Sequence, residues 1–353
     1  MKRIFIGGEH YFSPGIIFSG KTFTLKEYLE GRFPGMKYFL TLGGLSSLSL
    51  ILESLNIAGD KTVLLPSYLC PDILIPFKKF GIKYYFYKVN GNLVIDIADL
   101  LNKVNGNIAA VLFINYFGFP QRTEVLNALN SLKEKGIVII EDAVHSFFSE
   151  FETTGDYIFN SFRKFLPVDG GIVLSNKSLT KRRVKSNCKY TLYRNTGRLL
   201  RGTHINCGFP SSSLFLKLFK ISEKNYCNLK PSGFPWMSRL ILSKQDIPGM
   251  IDKRKSIYKK LLEEFGQYAL YKTLPEDVVP LGSPVLVENR DKIRKKLINK
   301  NIFCPVHWSL PDEVDRNNFP GSYYLSERIL TIPVNERMDD RSIDYLSKSL
   351  RSL

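Results

Sequence analysis

Short apolar runs alternate with helix-like segments through the first half of the chain, and this alternation constrains the fold more than any other feature. The runs are bounded by turn residues, whereas the segments between them have helical spacing. The predicted strands are Thr62–Leu65, Lys83–Val89, Ala109–Asn115, Ile137–Ile140 and Gly171–Leu174, and the predicted helices are Gly44–Leu55, Cys70–Lys79 and Arg122–Lys135. This order predicts an α/β domain with a mainly parallel central sheet, whose functional residues follow the carboxyl ends of the strands.

The pattern changes after about residue 183. Residues 185–245 are rich in Asn, Ser, Pro and Gly, which predicts irregular connections with short helices, one of them near Ser213–Lys220. The tail alternates again, with helices predicted over Pro248–Phe265, Arg290–Lys300 and from Asp340, and strands over Pro284–Val287 and Ile329–Pro333. A chain of 353 residues predicts two domains. We assign residues 1–215 to a large α/β domain and residues 216–353 to a smaller α+β domain.

The chain is strongly basic, because 50 Lys and Arg against 33 Asp and Glu leave a formal charge of +17. Such an excess attracts nucleic acid, anionic membranes, acidic proteins or phosphate-bearing substrates, although a Lys-rich surface without any partner is an equal alternative. The basic runs Lys181–Lys185 and Asp291–Lys296 are not interleaved with aromatic residues, as a base-stacking surface would be. No motif therefore supports a nucleic-acid partner.

The five cysteines are odd in number and form no CxxC pair, so neither a disulfide framework nor a zinc site is indicated. The first ten residues, MKRIFIGGEH, contain no long apolar region, and no run approaches membrane-spanning length. We expect a cytoplasmic protein with no bound metal and no membrane insertion.

An acidic pair and a histidine follow the apolar run IVII. Glu141, Asp142 and His145 stand at the end of this predicted core strand, where a carboxylate must be hydrogen-bonded or paired to stay ionised. One use for such an acid is to hold a protonated ring nitrogen, as an Asp does in enzymes that use pyridoxal phosphate. The alternative is a helix N-cap at Asp142.

The segment SFRKFLPVDGG places two adjacent cations, Arg163 and Lys164, among apolar residues. Lys164 follows Ser161 by three residues, a spacing that lets a hydroxyl and an amine approach one ligand from a tight turn. Apolar surroundings favour the neutral amine and make lysine a better nucleophile, whereas an arginine stays protonated. If one of the two cations acts covalently, it is Lys164; otherwise both are surface cations in a loop.

The segment Thr41–Ser47, TLGGLSS, precedes the first predicted helix. Small residues at this place leave backbone N–H groups free to bind a phosphate, although a Gly-Gly pair also commonly separates one secondary-structure element from the next.

Together these segments resemble the DegT/DnrJ/EryC1/StrS family of sugar aminotransferases, which are fold-type-I enzymes dependent on pyridoxal 5'-phosphate. The resemblance spans most of the chain and is carried by TLGGLSSL, VLLPSYLCP, FINYFGFPQ, VIIEDAVHS, GDYIFNSFRK, CPVHW and YLSERILTIPVNER. It implies a homodimer that transfers an amino group, plausibly from glutamate, to a nucleotide-linked keto sugar in surface-polysaccharide or amino-sugar biosynthesis.

The resemblance also implies roles for individual residues. Asp142 matches the acid on the pyridine nitrogen, and His145 matches the residue against the ring near its phenolic oxygen. Lys164 matches the lysine that forms the Schiff base, and Ser161 matches a serine that contacts the cofactor phosphate.

The remaining predicted site residues follow from the same resemblance. The phosphate cup corresponds to the backbone of Gly44, Leu45 and Ser46, and Leu45 replaces the usual Thr and so removes one hydroxyl. The ring-stacking residue falls at Cys70 or Tyr68, and His307 lies in the segment that faces the substrate.

The chain departs from the family pattern in two places. The gap between serine and lysine is shorter here, and the segment Phe234–Met237 keeps only the Met of the Asn-x-Arg-Met stretch through which a partner subunit usually reaches the phosphate, so we expect this contact to differ or to be missing. Three other functions stay open. A sugar dehydratase of this family typically has His in place of the lysine, and an acyl-transferring synthase also uses a Ser-x-x-Lys spacing. A member that has lost catalysis would act as a sensor or scaffold.

Overall fold

The computed structural model describes residues 4–12, 15–16, 20, 22–57, 59–179, 188–227 and 232–351. The basic run Lys181–Lys185 lies outside the described residues. The chain forms two compact units from discontinuous segments. The first unit contains Glu9–Leu55 and Phe159–Pro248, and the second contains Ile4–Gly8, Asn56–Ile158 and Gly249–Leu353. The division into residues 1–215 and 216–353 stays a prediction.

The described part of the chain contains a seven-stranded sheet with strands of mainly parallel direction. The strands in chain order are β1 (Ile6–Gly7), β2 (Lys37–Thr41), β3 (Thr62–Pro66), β4 (Lys83–Tyr87), β5 (Ile108–Ile114), β6 (Val138–Asp142), β7 (Tyr157–Ser161), β8 (Gly171–Ser175), β9 (Gly282–Leu286), β10 (Ile302–Phe303) and β11 (Ile329–Pro333). The sheet order is β2-β8-β7-β6-β5-β3-β4. Strand β3 pairs in parallel with β4 and β5, β5 pairs in parallel with β6, and β2 pairs antiparallel with β8. The predicted α/β fold with a mainly parallel sheet is confirmed.

A helix occurs at each place where the sequence predicts one, and the structure also contains helices that were not predicted. In chain order they are α1 (Leu25–Arg32), α2 (Gly44–Leu55), α3 (Leu74–Phe80), α4 (Ile97–Lys103), α5 (Thr123–Glu134), α6 (Cys188–Cys207), α7 (Ser212–Cys227), α8 (Trp236–Ser243), α9 (Ile247–Phe265), α10 (Arg290–Asn299), α11 (Pro320–Arg328) and α12 (Asp340–Arg351). Helix α2 and strand β11 have the predicted bounds. No helix in the described ranges combines the length and the apolar character that crossing a membrane requires.

The prediction of irregular connections over residues 185–245 is wrong. Helix α6 is 20 residues long and α7 is 16, so the helix predicted near Ser213–Lys220 is part of a longer one. The buried residues of α6 include Arg194, Asn195 and Arg198. Because polar side chains occupy the face that aliphatic residues usually fill, the apolar spacing that reveals a helix is weak here.

The second unit also carries two small sheets near its carboxyl-terminal helices. Strand β9 pairs antiparallel with β11, and β1 pairs in parallel with β10. Strand β11 is buried at every position, which matches its apolar sequence ILTIP.

Candidate functional site

Strand β6 ends in the acidic pair, and its two carboxylates have different environments. Glu141 is buried and accepts hydrogen bonds from the backbone N–H groups of Thr154 and Gly155, both at 3.0 Å, and from Asn115 Nδ2 at 2.9 Å. Asp142 is also buried, and its Oδ1 accepts the Val144 N–H at 2.9 Å. Neighbouring side chains of a strand point to opposite faces of the sheet, so the two carboxylates have different surroundings. Glu141 anchors the loop after β6.

The alternative of a helix N-cap at Asp142 is wrong. Residues 144–148 form turns, and no helix of the described chain begins there. The hydrogen bond from the Val144 N–H instead makes Asp142 the cap of a tight turn, a local pattern that is common for Asp.

His145 lies in a cluster of aromatic rings within the second unit. Its ring is stacked on that of Trp308, with centroids 5.2 Å apart and planes inclined by 24°. The rings of His307 and Phe117 lie 5.2 and 5.5 Å from it. His307 is buried, and its Nδ1 lies 2.8 Å from Thr331 Oγ1. Trp308 was not among the predicted site residues, although the segment CPVHW places it directly after the predicted histidine.

Of the two candidates for stacking on a cofactor ring, Tyr68 is fully buried and Cys70 is half-buried. The Tyr68 hydroxyl donates a hydrogen bond to the His307 carbonyl, and its ring lies 5.6 Å from that of Trp308. Burial raises the pKa of Tyr68 above its usual value, so the hydroxyl stays a neutral donor. The choice between Tyr68 and Cys70 stays a prediction.

In the first unit, Ser161 and Lys164 are separated by one tight turn. Ser161 is the last residue of β7, and Phe162–Lys164 form a single turn of 3-10 helix. Ser161 itself has an extended backbone, with φ of −135° and ψ of 109°, so it precedes this turn and Lys164 ends it. The short gap in the sequence therefore corresponds to one turn of 3-10 helix.

Arg163 is compensated within the first unit, as its apolar neighbours require. Its Nη1 lies 2.7 Å from Glu223 Oε1, and its guanidinium lies 4.9 Å from the ring centroid of Tyr226. Phe162 and Phe165 on either side of the two cations are fully buried. The carboxylate thus stabilises a charge that would otherwise be costly beside the core.

Helix α2 begins at the predicted phosphate cup. The Leu45 N–H donates to the Tyr226 hydroxyl at 3.3 Å, and the Ser46 hydroxyl accepts the Ser232 N–H at 3.3 Å. The Ser47 hydroxyl lies 2.7 Å from that of Thr41. The Leu45 N–H is thus bonded to a hydroxyl from α7, and the Leu45 side chain contributes no oxygen to the predicted cup.

Three arginines form an ion network with three acids in the first unit, and Arg194, Arg198 and Asp169 are its buried members. Arg198 donates to both carboxylate oxygens of Asp169, at 2.6 and 3.0 Å. Arg194 lies 2.5 Å from Glu9 and 2.8 Å from Glu223, the acid that also pairs with Arg163. The acid charges lower the cost of burying the arginines. This network could not be predicted from the sequence, because its members are spread from Glu9 to Glu223.

The segment Phe234–Met237 has contacts of its own in the first unit. Trp236 is 68% exposed, whereas the Met237 sulfur accepts a hydrogen bond from Asn195 Nδ2 at 3.0 Å. The expected difference in the contact with a partner subunit stays a prediction.

The predicted site residues are divided between the two units. Gly44, Leu45, Ser46, Ser161 and Lys164 belong to the first unit, and Tyr68, Cys70, Asp142, His145 and His307 belong to the second. Within the second unit the structure brings Tyr68, His145 and His307 into one aromatic neighbourhood around Trp308.

Comparison with sequence families gives one match. Residues 15–210, more than half of the chain, match the model of the DegT/DnrJ/EryC1/StrS aminotransferase family. No curated protein matches the sequence significantly.

Solved structures share the fold over nearly the whole chain. Spr1654 from Streptococcus pneumoniae, assigned as a sugar aminotransferase and solved in its PMP form, has a TM-score of 0.72 at 16% identity, with 99% of this chain and 97% of that chain covered. The aminotransferase TlmJ from Streptoalloteichus hindustanus has a TM-score of 0.71 at 14% identity, with 100% and 98% covered. The GDP-4-keto-6-deoxymannose-3-dehydratase ColD with bound GDP-perosamine has a TM-score of 0.66 at 17% identity, with 97% and 94% covered. At these identities the likeness is one of fold.

The groups present in each unit suit pyridoxal phosphate. A buried carboxylate that accepts a backbone N–H, as Asp142 does, is suited to hold a protonated ring nitrogen. The start of α2 would bind phosphate oxygens through the N–H groups of its first turn, and Lys164 would supply an amine for the aldehyde.

Proposed function

Because the chain belongs to the DegT/DnrJ/EryC1/StrS aminotransferase family, whose members depend on pyridoxal 5'-phosphate, we propose that it transfers an amino group to a nucleotide-linked keto sugar. The proposed amino donor is glutamate, and the proposed setting is surface-polysaccharide or amino-sugar biosynthesis. A homodimer in the cytoplasm is part of the same proposal.

The observation that carries the proposal is the placement of Lys164 one 3-10 turn after strand β7, with Ser161 at the strand end. A single turn thus separates the hydroxyl from the amine along the chain. The buried Asp142 at the end of β6 supplies the second catalytic group. We infer from the family that both groups act on one cofactor.

The residues of the chain have distinct tasks in this reaction. When bound, the cofactor supplies a ring that withdraws electrons from the reacting carbon. The Asp142 carboxylate holds a proton on the ring nitrogen, and Lys164 moves a proton at its Nζ. His145 orients the ring, Ser161 and the start of α2 bind the phosphate, and His307 faces the substrate.

The basic composition supports a substrate that carries phosphates. A formal charge of +17 raises the local concentration of a nucleotide diphosphate, although the same charge would attract other anions. The identity of the sugar is therefore tested by assay: glutamate and a panel of nucleotide-linked keto sugars are incubated with the protein, and aminated sugar is measured by mass spectrometry. Absence of an aminated product across the panel would count against the proposed substrate class.

The dehydratase alternative has the same fold, as the likeness to ColD shows, so the fold does not discriminate between the two reactions. Lys164 favours aminotransfer, because a dehydratase of this family typically carries His at this position. The synthase alternative predicts release of an acyl-transfer product instead, and the scaffold alternative predicts a protein that does not retain the cofactor.

Replacing Asp142 is expected to slow the reaction far more than it weakens folding. In Asp142→Ala we expect the single-turnover rate of amine transfer to fall by roughly 10²-fold or more, because the ring nitrogen loses the charge that keeps it protonated. The loss of the Val144 hydrogen bond should lower the free energy of unfolding by only about 1 kcal/mol.

Two further variants serve as controls for this prediction. Asp142→Asn can keep the Val144 hydrogen bond but carries no charge, so its rate should fall while its urea midpoint stays near that of the wild type. Glu141→Gln should show the reverse, because Glu141 accepts backbone hydrogen bonds in the loop after β6. Equal losses of rate and stability in Asp142→Asn would contradict a catalytic role.

A further inference from the structure

A tyrosine hydroxyl from α7 lies at the start of α2. Tyr226 is 4% exposed, and its Oη accepts the Leu45 N–H at 3.3 Å. A Cβ added at Gly43 would lie 2.4 Å from this oxygen, so the glycine is needed for the close approach of the ring. The hydroxyl thus lies beside the first turn of α2, where backbone N–H groups have no partner within the helix.

The Tyr226 hydroxyl retains a proton to donate. Burial raises the pKa of Tyr226 to about 12, so the hydroxyl is neutral near pH 7. Within the described ranges, the hydroxyl accepts one hydrogen bond, from Leu45, and its own proton meets no acceptor. A buried donor without an acceptor is unfavourable by itself, which points to an oxygen supplied by a ligand.

Two side chains of the first unit contact the ring of Tyr226. The Arg163 guanidinium lies 4.9 Å from its centroid, and the ring of Tyr190 lies 5.3 Å away. Glu223 fixes Arg163 in turn, at 2.7 Å. A hydroxyl held in this way loses little freedom when it binds a ligand.

We propose that Tyr226 is a ligand of the cofactor phosphate, which accepts the Leu45 N–H and donates its own proton to a phosphate oxygen. Tyr226 then replaces the hydroxyl that Leu45 does not provide, and it does so from the same chain. Arg163 is a positioning residue for this tyrosine. The proposal deepens the proposed function and rests on it, since the ligand is the family's cofactor.

The test compares a ligand with a phosphate and one without. The cofactor-free protein is titrated with pyridoxal 5'-phosphate and separately with pyridoxal, and the change in absorbance gives a Kd for each. In Tyr226→Phe we expect the Kd for pyridoxal phosphate to rise about tenfold to hundredfold, because a hydrogen bond to a charged group is lost. The Kd for pyridoxal should stay unchanged, because this ligand has no phosphate.

Two more variants complete the test. Tyr87→Phe is the matched control, because the Tyr87 hydroxyl is also buried but donates to the Leu112 carbonyl at 2.7 Å in the second unit. It should leave the ratio of the two Kd values unchanged. Gly43→Ala should raise the Kd for pyridoxal phosphate selectively, as Tyr226→Phe does, because the new Cβ displaces the Tyr226 oxygen. This second variant keeps the proposal testable if the phenylalanine variant does not fold.

The outcomes separate the two proposals. An unchanged or lower Kd for pyridoxal phosphate in Tyr226→Phe would overturn the role of Tyr226, and a lower Kd would mean that the hydroxyl competes with the phosphate for the Leu45 N–H. An equal rise for both ligands would likewise overturn it. The wild-type protein is titrated before any variant is made. If it binds neither ligand, the proposed function itself fails.

Discussion

Lys164→Ala is expected to abolish covalent attachment of the cofactor and to lower the rate of amine transfer by roughly 10²- to 10⁴-fold, the range for loss of a positioned acid–base group. The position of Lys164 at the end of the single turn Phe162–Lys164 gives this expectation its structural basis. The attachment is measured by borohydride reduction of the loaded protein, digestion, and mass spectrometry of the peptide that contains Lys164. The rate is measured in a single turnover with glutamate.

Lys189→Ala is the matched control, because Lys189 is an exposed lysine of α6 in the same unit. It should retain both the labelled peptide and the wild-type rate. A Lys164→Ala protein that still carries the reduced cofactor on another lysine and still transfers the amine would show that the assignment of Lys164 is wrong. A primary amine added to the solution should restore part of the lost rate if the missing group acts as a base.

The order of strands and helices could be predicted wherever the sequence has a clean apolar period. Helix α2 and strand β11 have the predicted bounds, since each combines strong apolar spacing with turn residues at its ends. Helix α6 could not be predicted in the same way, because the face it buries carries Arg194 and Arg198. The acids that pair with these arginines, among them Asp169, lie outside α6, so no local pattern of residues predicts the pairing.

Part of the candidate site could be selected from local patterns. Asp142 stands out because it follows the apolar run IVII, and Lys164 because it is a cation among apolar residues, whereas Ser161 is selected from the family resemblance; the roles of all three stay predictions. Tyr226 could not be selected, since it is 181 positions away from Leu45, whose N–H it accepts. Such contacts depend on tertiary packing, which no short segment of sequence encodes.

Asp169→Ala is expected to lower the free energy of unfolding by about 3–5 kcal/mol, the range for breaking a buried ion pair by removing one partner. Asp169 and Arg198 are both almost fully buried, and the arginine donates to both carboxylate oxygens. The Tyr190 hydroxyl also donates to this carboxylate, so its removal leaves several buried donors without their acceptor. The measurement is the urea midpoint at unchanged slope.

The double variant Asp169→Leu with Arg198→Met decides whether the loss comes from an unpaired charge. Apolar side chains of similar volume often replace a buried ion pair at little cost, so the double variant should regain most of the stability lost in Asp169→Ala. Asp340→Ala serves as the surface control, because its partner Lys260 is itself well exposed, and it should leave the midpoint unchanged. If the double variant is as unstable as Asp169→Ala, the network stabilises the fold through the Tyr190 and Arg194 contacts rather than through the pairing of Asp169 with Arg198.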